Sequence, residues 1–338
     1  MTRITMQDIA NALGISRVTV WKAFNNQPGV SLSLRENILK KAAEMGYAKP
    51  IESTPADHTD KTVSLIVSRP DSSTFWTNII HRMAQELSCC YRINLLYTYV
   101  PSVYTDGFTL PEILTNGTVQ GAVILNVYDE KLVSLINSLS LPKVFLDTVP
   151  QISARSLTGD LFLLEGQETM YQITSSVISR GFKRIGFIGD IHYARTNADR
   201  YEGFCRCMKD HGLTPDPSLC LTHSIPIFSY HQELSRFLSS LQKLPDAFVC
   251  VSDYVAHFLQ LYFAEHRDLI PGGILITGYD GSSEYSNVQN LLTTANVKTG
   301  LLGKRLSTQI VYRMEHPDAP YELTYINPQI IYRDSKLF

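Results

Sequence analysis

Between residues 5 and 47 the apolar positions recur every three to four residues, in three short blocks. Ile9, Ala10 and Leu13 form the first block. It follows Thr5 and Asp8 at capping-box spacing, and Gly14 closes it as a helix C-cap would. Ser16 is placed to cap the second, "RVTVWKAF" over 17–24. At the helical period Val20, Ala23 and Phe24 share an inward half, while Arg17, Val18, Trp21 and Lys22 fall within about 140° on the other. Ser31 opens the third block, in which Leu34, Ile38, Ala42 and Met45 line one face before Gly46 and Tyr47. Three helices around one small core, two of them joined by a glycine turn, predict a helix-turn-helix.

From Thr62 onward the pattern changes. Short apolar runs ("TVSLIV", "GAVILNV", "KVFLDT", "RIGFIG", "DAFVCV", "ILITGYD") alternate with helical stretches such as Trp76 to Tyr91 and Glu202 to His211. Such alternation predicts parallel strands covered by helices on both faces, and over about 275 residues two doubly wound subdomains. The expected organisation is therefore an all-α head over 1–49, a linker over 50–61 and an α/β body over 62–338. The expected subdomains are 62–181 with 295–327, and 182–294 with 328–338. Ligands of such sheets bind beyond the carboxyl ends of strands. That singles out Arg69-Pro70-Asp71, Asp147, Asp190, Ser252-Asp253 and Asp280.

Composition is that of an ordinary soluble protein, 44% hydrophobic and 18% charged. The net charge of -2 hides an asymmetry. Residues 1–50 hold seven Lys and Arg against three Asp and Glu, so the head is basic and the rest acidic. Only the head is then suited to a polyanion. Neither a membrane-length apolar run nor a secretory h-region is present, which predicts a cytoplasmic protein. The six cysteines form no C-x-x-C pair, so reduced, mostly buried thiols are expected, and neither a metal nor a cofactor. No G-x-G-x-x-G, P-loop, H-E-x-x-H or G-x-S-x-G supports an enzyme. A solute-binding protein remains a third reading, and the intact head argues against it.

In a helix-turn-helix the second helix enters the major groove through its N-terminal residues. Arg17 and Lys22 are then placed at base edges, and Ser16, Thr19 and Asn25 at phosphates, with Thr5 and Ser31 at two further helix starts. Trp21 either packs on a sugar-phosphate or thymine methyl, or tucks against the head.

The stretch "MQDIANALGISRVTVWKAFNNQPGVSLSLRENILKKAAEMGY" resembles the DNA-binding head of the LacI/GalR repressor family. The family pattern runs D-V-A-x-x-A-G-V-S-x-x-T-V-S-R-V-L-N, V-S-x-x-T-R, L-G-Y. The resemblance implies that Arg17, Val18 and Lys22 read bases. Trp21-Lys22 replaces the family's Ser-Arg pair, and lysine lacks the planar fork of arginine. The linker "PIESTPADHTDK" departs further, with Pro55-Ala56 where the family has a hinge helix carrying a minor-groove leucine.

The body resembles the family more loosely, and this implies a periplasmic-binding-protein-like fold with an effector between its subdomains. "RPDSSTFW" sets Phe75 and Trp76 on the family's aromatic pair, and "RYEGFCRCMKDHGL" sets Arg200 on its effector-binding arginine. "PDAFVCVSD" and "ITGYDG" place Asp253 and Asp280, and Ser252 stands for an asparagine. "EGQET" (165–169) departs from the family's D-N-x-x-G. Asp71, Phe75, Trp76, Asp147, Arg200, Asp253 and Asp280 are thus the expected effector residues. Aromatic platforms with Asp and Arg suit a saccharide; a nucleobase is the alternative. The expected partners are double-stranded DNA with a palindromic operator, a second copy of the chain, and a small effector that closes the subdomains about Leu292–Asn296. The sign of that coupling, induction or corepression, is not legible.

Overall fold

The computed structural model describes residues 4–24, 29–45, 47, 61–226 and 229–333. Asn25, Pro55 and Ala56 lie outside the described residues, so the phosphate contact and the degenerate hinge expected there have no structural account. The chain divides into two compact units, Met1–Thr59 and Asp60–Phe338.

The first unit contains α1 (Met6–Leu13), α2 (Arg17–Phe24) and α3 (Leu32–Glu44). Its start and stop chemistry is local. The Thr5 amide and hydroxyl both donate to the Asp8 carboxylate, at 2.8 and 2.7 Å. These bonds hold the Asp8 carboxyl below its ordinary range. Gly14 ends α1 with φ 64°, a left-handed conformation that glycine adopts without steric cost. Ile9, Ala10, Val20, Ala23, Ile38 and Ala42 are buried together, with Phe24 and Tyr47 in ring contact at their edge.

In the second unit a six-stranded parallel sheet comprises β1 (Thr62–Val67), β2 (Asn94–Tyr99), β3 (Gly121–Leu125), β4 (Lys143–Leu146), β5 (Asp160–Leu164) and β11 (Leu323–Ile326). Their spatial order is β11-β5-β4-β3-β1-β2. Alternate residues face opposite sides, as the two-residue strand period requires. Val63, Leu65, Val123, Leu125, Val144 and Phe162 share one core with α4 (Thr74–Glu86) and α10 (Thr299–Glu315). Ile66, Ala122, Ile124, Phe145 and Leu161 meet α5 (Glu130–Asn137) on the other face.

A second parallel sheet has the order β7-β6-β8-β9, formed by β6 (Ile185–Ile188), β7 (Cys220–Leu221), β8 (Ala247–Cys250) and β9 (Leu275–Thr277). Here α6 (Gln167–Ser179) packs on α7 (Arg195–Asp210), and α8 (Tyr230–Ser240) on α9 (Asp253–Glu265). A separate antiparallel pair joins β10 (Thr294–Asn296) to β12 (Gln329–Ile331).

Two expectations change. α6 lies against α7, so the first crossing between sheets is near Glu165–Gly166, not at residue 181. Gly203 permits that packing, because a Cβ there would stand 2.1 Å from the Gln167 carbonyl oxygen. α7 also begins two turns before Glu202, at Arg195. Its first turns carry polar residues that face the cleft rather than an apolar stripe, so periodicity alone conceals them.

Candidate functional site

On the head, the outward half of α2 is formed by side chains with little inward packing. Val18 is 60% exposed and Trp21 48%, so neither belongs to the buried core. Arg17 is exposed beside them. Lys22 is partly buried, its ammonium lying near the Gly29 turn. Ser16 caps the helix: its hydroxyl accepts from the Thr19 amide at 3.0 Å and bonds the Thr19 hydroxyl at 2.8 Å. Ser31 likewise accepts from the Leu34 amide at 3.3 Å. Thr5, Ser16, Thr19 and Ser31 thus already serve helix ends, which fixes the direction of any hydroxyl offered to a phosphate.

In the body, a cavity of about 240 Å³ opens between the carboxyl ends of the two parallel sheets. Arg69, Asn126, Asp147, Asp190, Ser252 and Asp280 each follow a strand and line it. Asn126 (φ 55°), Asp147 (φ 67°) and Asp280 (φ 110°) have left-handed backbones. Non-glycine residues pay for such angles in strain, and their collection at one cavity marks a built site. Phe75 and Trp76 in the first turn of α4 contribute an edge-to-face aromatic pair, centroids 5.1 Å apart. Tyr128 and Tyr193 supply a second ring pair at 4.5 Å, and Tyr230 and Tyr254 a further wall.

Arg200 is buried in α7, donates to the Val251 carbonyl at 2.8 Å and lies 3.5 Å over the Tyr279 ring. Gly166 lets the crossover approach it, since a Cβ there would be 3.0 Å from Arg200 Cγ. Burial pushes the Asp280 carboxyl up to about 7, opposed by Arg200 and reinforced by Asp253. Burial also raises Asp147 to about 6, against bonds from Thr196 and Thr148 and the charge of Arg200.

The two sheets are tied across this cleft. Asp147 accepts from the Thr148 and Thr196 amides at 2.8 and 3.3 Å, and the Thr196 hydroxyl also reaches it. Arg69 donates to the Tyr193 hydroxyl at 2.6 Å, and the Arg195 amide to the Thr148 carbonyl at 2.7 Å. The Thr74 amide, at the start of α4, donates to Glu284 at 2.8 Å.

Phe75, Trp76, Asp147, Arg200 and Asp280 therefore meet at one cavity, and two expected residues do not. Asp71 is exposed and does not line it, because the turn after β1 presents Arg69 instead. Asp253 is fully buried beneath it, where it accepts from the Ser282 amide (2.7 Å) and the Thr294 hydroxyl (2.8 Å). It clamps the loop after β9 and has no free oxygen for a ligand. Glu165 is also a local cap, accepting from the Glu168 and Thr169 amides at 2.8 Å each. Sequence reasoning missed Tyr128, Tyr193, Tyr230 and Tyr254; their only signal was an excess of tyrosine shortly after strands.

A periplasmic binding protein-like domain matches residues 174–336. The chain is similar along nearly all its length to the HTH-type transcriptional regulator RegA of Clostridium saccharobutylicum: 24% identity over 346 residues, covering 98% of this chain and 99% of RegA. It is equally similar to the HTH-type transcriptional repressor PurR of Haemophilus influenzae, with 25% identity over 342 residues and 98% of each covered. Among solved structures, the regulator CelR in complex with cellobiose matches with a TM-score of 0.69 at 19% identity, covering 98% of this chain and 99% of CelR. The Lac repressor dimer bound to operator and the anti-inducer ONPF matches with 0.67 at 17% identity, covering 100% of both chains.

Proposed function

We propose that the chain is a DNA-binding transcriptional regulator of the LacI/GalR type in which a saccharide in the body cavity sets its affinity for a palindromic operator bound by two copies of the chain. The observation that carries the saccharide is the meeting of Phe75 and Trp76 with Arg200 and Asp280 in one cavity of about 240 Å³. Sugar rings stack their C–H faces on aromatic side chains, and their hydroxyls pair with guanidinium and carboxyl groups. The cellobiose held by CelR, a protein of the same fold, supports this reading. A nucleobase is the second reading, favoured by the ring pair of Tyr128 and Tyr193 in the cavity wall, against which a flat heterocycle would also pack.

On DNA, the exposed row of Arg17, Val18 and Trp21 is the base-reading surface, with Lys22 at its margin. Ser16 and Ser31 orient two helix N-termini toward phosphates. The effector shifts operator affinity only by its differential binding to the open and closed cleft. The cross-cleft bonds from Arg69, Thr74 and Arg195 are the contacts such a change must keep or break.

The test is a thermal-shift screen of the full chain against sugars, sugar phosphates and nucleobases. It is followed by selection of bound DNA from a random pool with and without each hit. Sugar hits that alter DNA retention are the expected result. Hits confined to nucleobases would replace the saccharide with the second reading, and a pool that yields no preferred sequence would remove the regulator's operator.

A further inference from the structure

The body contains two buried arginines, Arg313 and Arg200, and a half-buried one, Arg69, that show how this chain treats a guanidinium away from water. Arg313 is the structural case. It is 1% exposed and forks onto Asp160 at 3.1 and 2.6 Å, with further bonds to the Ala319 and Pro320 carbonyls. Its charge is matched and every nitrogen has a partner, as burial of an ion requires.

Arg200 and Arg69, both lining the effector cavity, are treated differently. Arg200 is 5% exposed, yet the contacts of its guanidinium are the Val251 carbonyl and the face of Tyr279, and Asp147 and Asp280 feel its charge without pairing with it. Arg69 bonds the Tyr193 hydroxyl. The Nε of each is buried with no hydrogen-bond partner, and neither forms an ion pair among the described residues. Both sit beside one ring pair: Arg69 bonds Tyr193, and Arg200 lies close enough to Tyr128 to influence its hydroxyl.

The cavity's carboxylates do not fill this deficit. Asp147 is engaged by the Thr148 and Thr196 amides. Asp190 is engaged by the amides of His192 at 2.8 Å and Ile225 at 3.1 Å. Asp280 lines the cavity without reaching either guanidinium within ion-pair distance. What is left over is cationic donor capacity beside aromatic rings. A neutral sugar hydroxyl accepts hydrogen bonds but brings no charge, whereas an oxyanion brings both and matches the guanidinium fork.

Resting on the saccharide reading, we propose that the effector is an acidic sugar, bearing a carboxylate or a phosphate that Arg69 and Arg200 receive while Phe75 and Trp76 hold its ring. Arg69 is the specificity-determining residue for that oxyanion. It follows β1 and stands where Asp71 was expected to act.

The experiment is calorimetric titration of the full chain with matched probes: glucose, glucuronate and glucose 6-phosphate; galactose, galacturonate and galactose 6-phosphate; adenosine and adenosine monophosphate; and inorganic phosphate alone. At least one acidic sugar should bind about tenfold or more tightly than its neutral parent. Arg69→Gln should collapse that ratio and Arg69→Lys should restore part of it. Uronates ahead of sugar phosphates would identify a carboxylate, the reverse order a phosphate. Neutral sugars binding as tightly as their acids would overturn the inference and leave the saccharide reading standing. Adenosine monophosphate exceeding adenosine, with no sugar bound, would keep the oxyanion and remove the sugar. Silence from every acidic probe, inorganic phosphate included, would overturn the inference outright.

Discussion

The outward face of α2 and the cavity of the body are built in opposite ways. The α2 face is made by consecutive residues of one helix, which point outward because Val20 and Ala23 are buried behind them. The cavity is made by residues that follow β1, β3, β4, β6, β8 and β9, together with residues of α4, α7, α8 and α9, drawn from across some 210 positions. In the first case the core is small and the working side chains are exposed. In the second the working side chains are themselves buried, and their cost is offset by bonds across the cleft. A surface can change one residue at a time; a cavity of mutually bonded groups changes together.

The largest expected effect separates the two regions. Ile38 is fully buried in a core of few side chains, so Ile38→Ala should cost about 2–5 kcal/mol and unfold the head. DNA binding should vanish while the body's melting transition and effector binding stay in place, as read by calorimetry and gel shift. If the body melted earlier too, the independence of the two units would be wrong.

Next is Arg200→Ala, which removes a buried cation that stacks on Tyr279. We expect loss of about 100-fold or more in effector affinity, about 3 kcal/mol, with operator binding retained in the absence of effector. Equal affinity in calorimetry would show that Arg200 only packs.

A smaller effect comes from Asp280. Its carboxyl is raised from 3.8 to about 7, so the native state binds more protons than the unfolded chain between those values. Its contribution to stability is present below pH 4 and is lost as pH rises through about 7. Asp280→Asn should therefore leave the body's stability unchanged at pH 4 and raise it at pH 8 by an amount on the order of a few kcal/mol. The charged groups that act on Asp280 are Arg200 and Asp253, and melting curves from pH 4 to 8 provide the check. An unchanged difference across that range would mean that Asp280 is ionised throughout.

The smallest effect is at the α2 cap. Ser16→Ala should destabilise the head by about 1 kcal/mol and weaken operator binding evenly across sequences. Lys22→Ala, by contrast, should change which sequence is preferred at one base position, by about 1–3 kcal/mol. Selection from a random DNA pool distinguishes the two. If both variants only weakened binding uniformly, the α2 face would be a phosphate contact rather than a reading surface.

The same contrast explains what was legible beforehand. Helix caps at Thr5, Ser16 and Ser31 and the buried row of Ile9, Val20 and Ile38 follow from local periodicity, and the structure has them so. The apolar strands β1, β3, β4, β6, β8 and β9 were equally plain, because both their faces are covered. β2 and β11 were not, since as edge strands they leave Tyr97, Tyr99, Leu323 and Tyr325 exposed and carry no continuous apolar run. Within the cavity, Arg200 was marked by its motif. The tyrosines had no marker, because they enter from separate places: Tyr128 and Tyr193 from two loops, Tyr230 and Tyr254 from the first turns of α8 and α9.

The amino-acid sequence by itself determined the three-helix head, its outward row on α2, and the apolar strands β1, β3, β4, β6, β8 and β9 of the body, since each depends on neighbours a few residues away. Only the tertiary structure decided that Arg69 rather than Asp71 lines the cavity, that Asp253 is a loop clamp, and that α6 travels with the second sheet. The reason is physical. Where a side chain points after a strand depends on backbone angles such as those of Asp147 and Asp280, and those are held by partners brought together from distant parts of the chain.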